Sequence, residues 1–302
     1  MSTTTRGNEF TSFAEDNFSQ SGASGLYDRA RPSYPEPAFS QIYSLLPSSP
    51  KEGTRSSFVV ELGAGSGIFT RGFLRTILSQ PSDERGRRLG ELLAIEPSEG
   101  MRKGWEKKHD EEGLRTELEE KGIKVEIRDG LFDKIPVEDG KADLVVIAQA
   151  FHWVGRNGES AIREIARVLK PQGTLALIWN YEDRSVPWVA QLRDAYEEYE
   201  AGTPQARLGW WKSIFETEFY SQTYEPAQVE TYHRNLPSSE QGVVDRILSK
   251  SYITALSQEE QERVAKDMRE IVKKGEGKEW IDEKEGTFHY PYTTELYIIR
   301  KK

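Results

Sequence analysis

The sequence predicts an α/β fold, a doubly wound parallel sheet, on three observations. Short apolar runs rich in β-branched residues (Phe58-Val59-Val60, Leu92–Ile95, Ala142–Ala148, Thr174–Trp179) alternate with helical patterns, the order that builds βα units. The first run stops at Gly63, Gly65 and Gly67, and a helical face of Phe69, Phe73, Leu74, Ile77 and Leu78 follows at once. Ala142–Ala148 is apolar apart from Asp143, the pattern of a strand covered on both faces.

The glycine stretch organises the rest. Glycine adopts positive φ without strain and puts no Cβ between backbone and ligand. The first N–H groups of the next helix are then free to face that ligand. In open α/β sheets such a corner, at the carboxyl end of a strand, is where ligands bind. The spacing is G-x-G-x-G, with Ile68 where a dinucleotide-binding G-x-G-x-x-G loop carries its third glycine. That departure points away from NAD and towards adenosyl-methionine, although a ligand-free strand-to-helix turn uses the same glycines.

A chain of 302 residues holds one large domain or a core with an elaboration. Its 36% hydrophobic and 30% charged residues give a core under a strongly polar surface. The net charge of −9 argues against a partner held by its phosphate backbone, so no nucleic acid is expected. No apolar run approaches bilayer-spanning length, so no membrane partner is expected, and the Ser/Thr-rich N-terminus lacks a signal peptide's apolar core. The absence of cysteine excludes disulfides, thiolate metal sites and a cysteine nucleophile. A cytoplasmic protein without a metal site is the plain expectation.

In chain order, residues 1–20 read as a disordered or lid-like N-terminus. Tyr27, Arg31 and Tyr34 then bunch around Pro32 and Pro35, which force an extended bend. This segment is either a cap on the core or a substrate lid. Residues 36–46 read as a helix with Phe39, Ile42, Tyr43 and Leu46 on one face. Beyond the glycine loop, a polar loop at 80–90 leads to the second strand, which ends at Glu96. A carboxylate there is the natural partner of a ribose diol. Met101–Lys121 reads as one or two exposed helices, and Lys124–Ile127 as the third strand. Asp129 and Gly130 follow, either an adenine contact or an ordinary Asp-Gly turn.

The fourth strand opens into Gln149-Ala150-Phe151-His152-Trp153, beside the glycine loop, where a substrate would meet a cofactor. His152 is a candidate base or a structural histidine. Ile162, Ile165, Ala166 and Leu169 form a helix face closed by Lys170-Pro171-Gln172-Gly173, and the fifth strand ends at Asn180. Between about 185 and 217 the pattern is helical and aromatic, including Trp188, Tyr196, Tyr199 and Trp210-Trp211. Such an insertion either roofs a pocket or forms a second small core. Val229–Arg234 reads as a short strand carrying His233, residues 239–274 as two helices, and Phe288–Arg300 as an antiparallel strand at or near the sheet edge.

Val59–Gly67, Glu96, Asp129-Gly130 and Ala150-Phe151-His152-Trp153 together resemble the class I adenosyl-methionine-dependent methyltransferases. Leu169–Gly173 is similar to their type 11 branch, and Arg31–Pro35 with His152-Trp153 resembles the fungal trans-aconitate methyltransferase group. The match covers residues 25 to 180; the rest is similar in layout only. The resemblance implies a Rossmann-like sheet of seven strands, six parallel and the last inserted antiparallel. It implies a cofactor-binding core at 21–180, a helical substrate cap with one core strand at 181–285, and a final strand at 286–302 returning to the sheet. It also implies that Gly63, Gly65 and Gly67 form the adenosyl-methionine loop, that Glu96 holds the ribose and Asp129 the adenine, and that Ala64, Pro97 and Gly130 belong to the same cofactor site. Glu61 would order loop amides or the methionine ammonium, and Gln149 would line the methionine arm.

Methyl transfer from a sulfonium is an in-line displacement whose donor is already activated, so proximity and water exclusion supply most of the rate. A carboxylate acceptor needs no base. A hydroxyl or ammonium does, and His152 first, His233 second, are the candidate catalytic residues. Tyr27, Trp153 and Trp179 offer aromatic faces to a sulfonium, Arg31 offers a clamp for an anionic acceptor, and Trp211 a roof over the substrate. The expectation is a methyltransferase acting on a small molecule, at oxygen, and releasing adenosyl-homocysteine. A non-catalytic adenosyl-methionine-binding protein and a nicotinamide-dependent oxidoreductase are the alternatives.

Overall fold

The computed structural model describes residues 23–48, 56–79 and 88–302. The N-terminal expectation for residues 1–20 and most of the polar loop at 80–90 therefore fall outside the described residues. The strands are β1 (Ser57–Leu62), β2 (Leu89–Ile95), β3 (Lys124–Arg128), β4 (Ala142–Ala148), β5 (Leu169–Glu182), β6 (Gln228–Ser238), β7 (Trp280–Asp282) and β8 (Thr287–Arg300). They form one sheet in the order β3-β2-β1-β4-β5-β8-β6, with β7 a short hairpin partner of β8. The pairs β2–β3, β1–β2, β1–β4 and β4–β5 are parallel, whereas β8 is antiparallel to both β5 and β6.

The strand β6 thus runs parallel to β5, and β8 is slotted between them. Phe288–Arg300, expected as an antiparallel strand at or near the sheet edge, is antiparallel and lies next to the edge strand β6. A returning strand can enter there because an antiparallel neighbour needs no crossover helix.

The helices are α1 (Ala23–Ala30), α2 (Glu36–Ser44), α3 (Ile68–Ser79), α4 (Glu99–Glu111), α5 (Leu114–Glu120), α6 (Glu159–Val168), α7 (Pro187–Glu197), α8 (Glu218–Thr223), α9 (Glu240–Leu248), α10 (Ser251–Thr254) and α11 (Gln258–Lys274). Period-two alternation splits the central strands between two cores. Val60, Leu62, Val145 and Ile147 join Phe151, Ile162 and Trp179 on one face, while Val59, Leu144 and Val146 join Phe39, Ile42 and Phe73 on the other. Every residue of β1 is buried, as a central parallel strand requires.

Two local readings change. Leu169 does not close α6 but opens β5, pairing with Ala142. Lys170 precedes Pro171 and is held out of the helical region, so the chain turns extended there. Residues 239–274 form three helices, not two: α11 begins at a Ser257–Glu260 capping box after the single turn of α10. The region after β5 also has its own core. Trp188, Leu192, Val243, Val244, Ile247, Met268 and Val272 pack against Phe288 and Tyr290 of β8. It caps the sheet's carboxyl edge as a packed unit.

Candidate functional site

The glycine loop leaves β1 with Gly63, Gly65 and Gly67 at φ +69°, +56° and +86°. The Gly63 and Ala64 N–H groups donate to the Ile95 carbonyl at 2.8 and 3.1 Å, tying the loop to the end of β2. Glu96 follows Ile95. Its carboxylate accepts the Gly65 N–H at 2.9 Å through Oε2 and the Ser98 N–H at 2.9 Å through Oε1. A carboxylate offers about four acceptor positions, so the two bonds orient it towards further donors.

Glu61 is buried in β1. The Thr70 hydroxyl donates to its Oε2 at 2.5 Å and in turn accepts from Trp105 Nε1 at 3.0 Å. Its Oε1 has no partner among the described residues. Burial pushes this carboxyl up to about 8, with Thr70 and Arg71 only partly opposing. Glu61 shares a recess with Gly63, Ala64, Gly65, Ser66 and Gln149. A buried carboxyl with one free oxygen at an open glycine turn fits a cationic ligand group such as an ammonium. At Gly65 an added Cβ would meet no protein atom within 4 Å, so the space over the loop is open for a ligand.

A single cavity of about 1320 Å³, its mouth included, starts at this loop. From Gly63, Gly65, Glu96, Pro97 and Met101 it runs past Gly130 and Phe132 to Gln149, His152 and Trp153, and ends in a charged chamber under the cap. Gln149 turns the chain at the end of β4 with φ +57°, and its Nε2 donates to the Asn180 carbonyl at 2.9 Å.

Several expected contacts are not on this wall. Gly67 faces inward, where a Cβ would come within 2.6 Å of Trp105 Cδ1. The Asp129 carboxylate reaches Arg102 Nη1 at 3.5 Å with its side chain 37% exposed, so Gly130 and not Asp129 lines the cavity. Trp179 and Trp211 are fully buried and stacked at 4.3 Å between centroids, a core pair rather than a substrate surface. His233 is exposed on the edge strand β6, within 3.2 Å of the Thr293 hydroxyl, away from the cavity. The role expected of Tyr27 falls on a side chain outside the described residues.

His152 sits on the wall, and its surroundings bear on the choice between a base and a structural histidine. Trp179 Nε1–H donates to its Nδ1 at 3.4 Å. An indole N–H only donates, so the neutral imidazole carries its proton on Nε2. Burial, with Arg31 adding repulsion, pushes its pKa down to about 3. The ring is therefore neutral, and the remaining nitrogen is a donor, not a base.

The chamber's main residues escaped the sequence reading. The strand β5 runs on to Glu182, whose Oε1 meets Arg246 Nη2 at 2.9 Å and Lys250 Nζ at 3.2 Å. Tyr196 OH donates to Oε2 at 3.3 Å, and its ring lies 4.2 Å beneath the Lys250 ammonium. Burial alone would raise the Glu182 carboxyl, but Arg246 and Lys250 hold it well below the usual range. Burial, only partly opposed by Glu182 and reinforced by Arg246 and Arg31, pushes Lys250 down to about 7. The signal was Arg246 on an otherwise apolar helix face (Val243, Val244, Ile247), followed by Lys250 just past the helix end.

The N-terminal segment closes one side. Asp28 of α1 accepts from Ser66 Oγ at 2.9 Å and pairs with Arg71 at 2.5 Å, across the glycine loop. Arg31 Nη2 donates to the Ser249 carbonyl at 3.0 Å, and Asn180 Nδ2 to that of Ser33 at 3.1 Å. These bonds tie the segment to the loop, to β5 and to the cap.

Comparison with known proteins agrees with this geometry. Residues 60–177 match a methyltransferase domain family. An uncharacterized methyltransferase of Schizosaccharomyces pombe is 38% identical over 176 residues, 58% of each chain. A methyltransferase-like protein of the same organism is 31% identical over 247 residues, 82% of this chain and 83% of that one. The YcgJ protein of Bacillus subtilis shares the fold, with a TM-score of 0.51 at 15% identity over 89% of this chain and 99% of that one. The nicotinamide alternative is set aside by these matches. With the glycine loop and Glu96 in the matched region and one relative matched along more than four-fifths of both chains, the protein belongs to the adenosyl-methionine-dependent methyltransferases.

Proposed function

We propose that the protein methylates an oxygen of a small acceptor, most directly a carboxylate oxygen, inside the cavity under the cap. The observation that carries this reading is the cavity itself, continuous from the Glu96 cradle to a chamber walled by Arg31, Arg246 and Lys250. Bound at the loop, adenosyl-methionine would supply an activated methyl on a sulfonium, which an acceptor oxygen would take as the C–S bonding pair passes to sulfur. Glu96 would hold the ribose hydroxyls and Glu61 the ammonium, and Gly63 and Gly65 would let the backbone approach. Trp153 screens the transfer position from water, and His152 donates from Nε2 towards an acceptor oxygen. A carboxylate arrives already ionised, which suits the donors that His152, Arg31 and Arg246 bring to this wall. The finer resemblance, to the trans-aconitate methyltransferase group, rests on sequence motifs alone.

The test is transfer of labelled methyl from adenosyl-methionine to small carboxylic acids, alcohols and amines. Base-labile ester products from acids alone are expected; products from amines or alcohols alone would reject the carboxylate reading. His152→Gln keeps a donor and is expected to lower kcat by less than about tenfold with a flat profile between pH 6 and 8. A loss above about a hundredfold, the size of general-base catalysis, would restore the base role.

The loop glycines separate binding from stability. Gly65→Ala adds a Cβ into ligand space while meeting no protein atom within 4 Å. It is expected to cost about 1 kcal/mol of stability, the penalty for left-handed backbone, and to abolish adenosyl-homocysteine binding. In Gly63→Ala the new Cβ lands 2.6 Å from that of Ala150, so this variant melts well below Gly65→Ala. Thermal melts with and without adenosyl-homocysteine check both; a Gly65→Ala protein that the ligand still stabilises would remove the loop from the site.

A further inference from the structure

We infer that Arg246, Lys250 and Arg31 form an oxyanion subsite that anchors a carboxylate or phosphate of the acceptor, distinct from the atom that is methylated. The inference rests on the methyltransferase reading of the same cavity and adds what the far chamber recognises. Arg246 is buried and gives Nη2 to Glu182; its Nε and Nη1 make no close hydrogen bond among the described residues, with the Tyr292 hydroxyl the acceptor beside the guanidinium. A buried guanidinium with donors left over is a standing demand for an acceptor.

The surroundings share that demand. Arg31, Arg193, Arg207, Arg246 and Lys250 line the cavity with Glu96, Glu182, Glu197 and Glu200, five cations to four carboxylates, and Glu96 lies at the loop end, away from the chamber. The acids are also committed. Glu197 accepts from Arg184, Arg193 and Arg207, and Glu200 from Arg207. The sulfonium brought by the donor adds a further positive charge. An acceptor whose sole anionic group was the methylated one would lose its charge on reaction and leave these cations unbalanced. A second oxyanion, kept through the reaction, resolves both the open donors and the charge.

Around Lys250 stand Glu182 on β5, Tyr196 on α7, Glu200 beyond it, Arg246 on α9, Arg31 of the N-terminal segment, Tyr252 on α10, and Tyr290 and Tyr292 of β8 beside Arg246. Among these, Lys250 is the group that changes charge near neutrality, since burial, Arg246 and Arg31 push it down to about 7. It is protonated and helps hold the anion below that pH, and is neutral above it. Affinity for the anchor therefore falls as pH rises through 7.

Calorimetry on the full-length protein loaded with adenosyl-homocysteine tests this, with succinate, sulfate and neutral succinamide as probes. Sulfate keeps its charge between pH 6 and 8, so any pH effect on it belongs to the protein. One or both anions should bind, succinamide should not, and Kd should rise roughly tenfold from pH 6 to 8 as the competent fraction falls. The tighter probe names the anchor, carboxylate or sulfate-like phosphate. Lys250→Met should flatten the pH dependence, and Arg246→Gln should weaken binding at both pH values. The wild-type pH series stands even where a variant fails to fold. Adenosyl-homocysteine binding with no response to either anion overturns the subsite and leaves the methyltransferase reading intact. Failure to bind adenosyl-homocysteine overturns that reading itself, whatever the anions do.

Discussion

Glu96→Ala is expected to weaken adenosyl-homocysteine binding by at least about a hundredfold. Two hydroxyls of a ribose donating to one carboxylate make charge-assisted bonds worth about 1.5–3 kcal/mol each. Their joint loss is a factor of roughly 10² to 10⁴ at about 1.4 kcal/mol per decade. The carboxylate also fixes its own surroundings, accepting Gly65 N–H and Ser98 N–H at 2.9 Å each. Truncation therefore loosens the loop and the start of α4 together. The Gly65 amide lies beside the cavity, where water replaces the lost acceptor, but the Ser98 amide is buried and loses this acceptor, so the melting temperature should fall by a few degrees. Calorimetric titration reads the first effect and a thermal melt the second. Binding within threefold of wild type, in a folded variant, would take the ribose role away from Glu96.

That prediction rests on a part of the site legible from sequence, for a physical reason. The glycine loop and Glu96 are each fixed by local pattern, a strand that must stop and a turn that needs positive φ. The parallel sheet makes them neighbours through the Leu62–Ile95 pairing. His152 and Gln149 were placed by the same logic, at the end of a buried strand. The protonation of His152 was not legible, because burial keeps the ring neutral and Trp179, 27 residues on, sets its tautomer. Trp179 and Trp211 read as pocket aromatics because composition does not distinguish a ring facing a cavity from one stacked in a core. The insertion of β8 between β5 and β6 came from resemblance; its own pattern gave only a closing antiparallel strand. Glu182 lay hidden because its partners follow 64 and 68 residues later, Arg246 on α9, whose apolar face says nothing of what its cation meets, and Lys250 just beyond its end.

Glu182→Leu should be the most destabilising single change in the chamber. It leaves Arg246 and Lys250 in the interior without the carboxylate that both contact, at 2.9 and 3.2 Å. Breaking a buried ion pair by removing one partner costs about 3–5 kcal/mol, a fall in melting temperature on the order of 10 °C for a chain of this size. The deficit should also depend on pH, and its sign follows from Lys250. In the native protein this amine is pushed down to about 7, far below its ordinary value. Between those limits the unfolded chain holds the extra proton, and stability rises with pH. Without Glu182 the amine falls further, so wild type and variant differ in Lys250 charge only below about pH 7. The gap between their melting curves should widen as pH drops from 7 to 5 and stay constant above 8, where only the Arg246 contribution remains. Glu182 itself adds no slope there, because Arg246 and Lys250 keep its carboxyl ionised well below that window. The double variant Glu182→Leu/Arg246→Leu removes the stranded guanidinium and should recover most of the loss, since a well-packed apolar pair replaces a buried ion pair at little cost. A double variant no more stable than Glu182→Leu alone would show that the carboxylate supports the cap through Tyr196 and not through the cations.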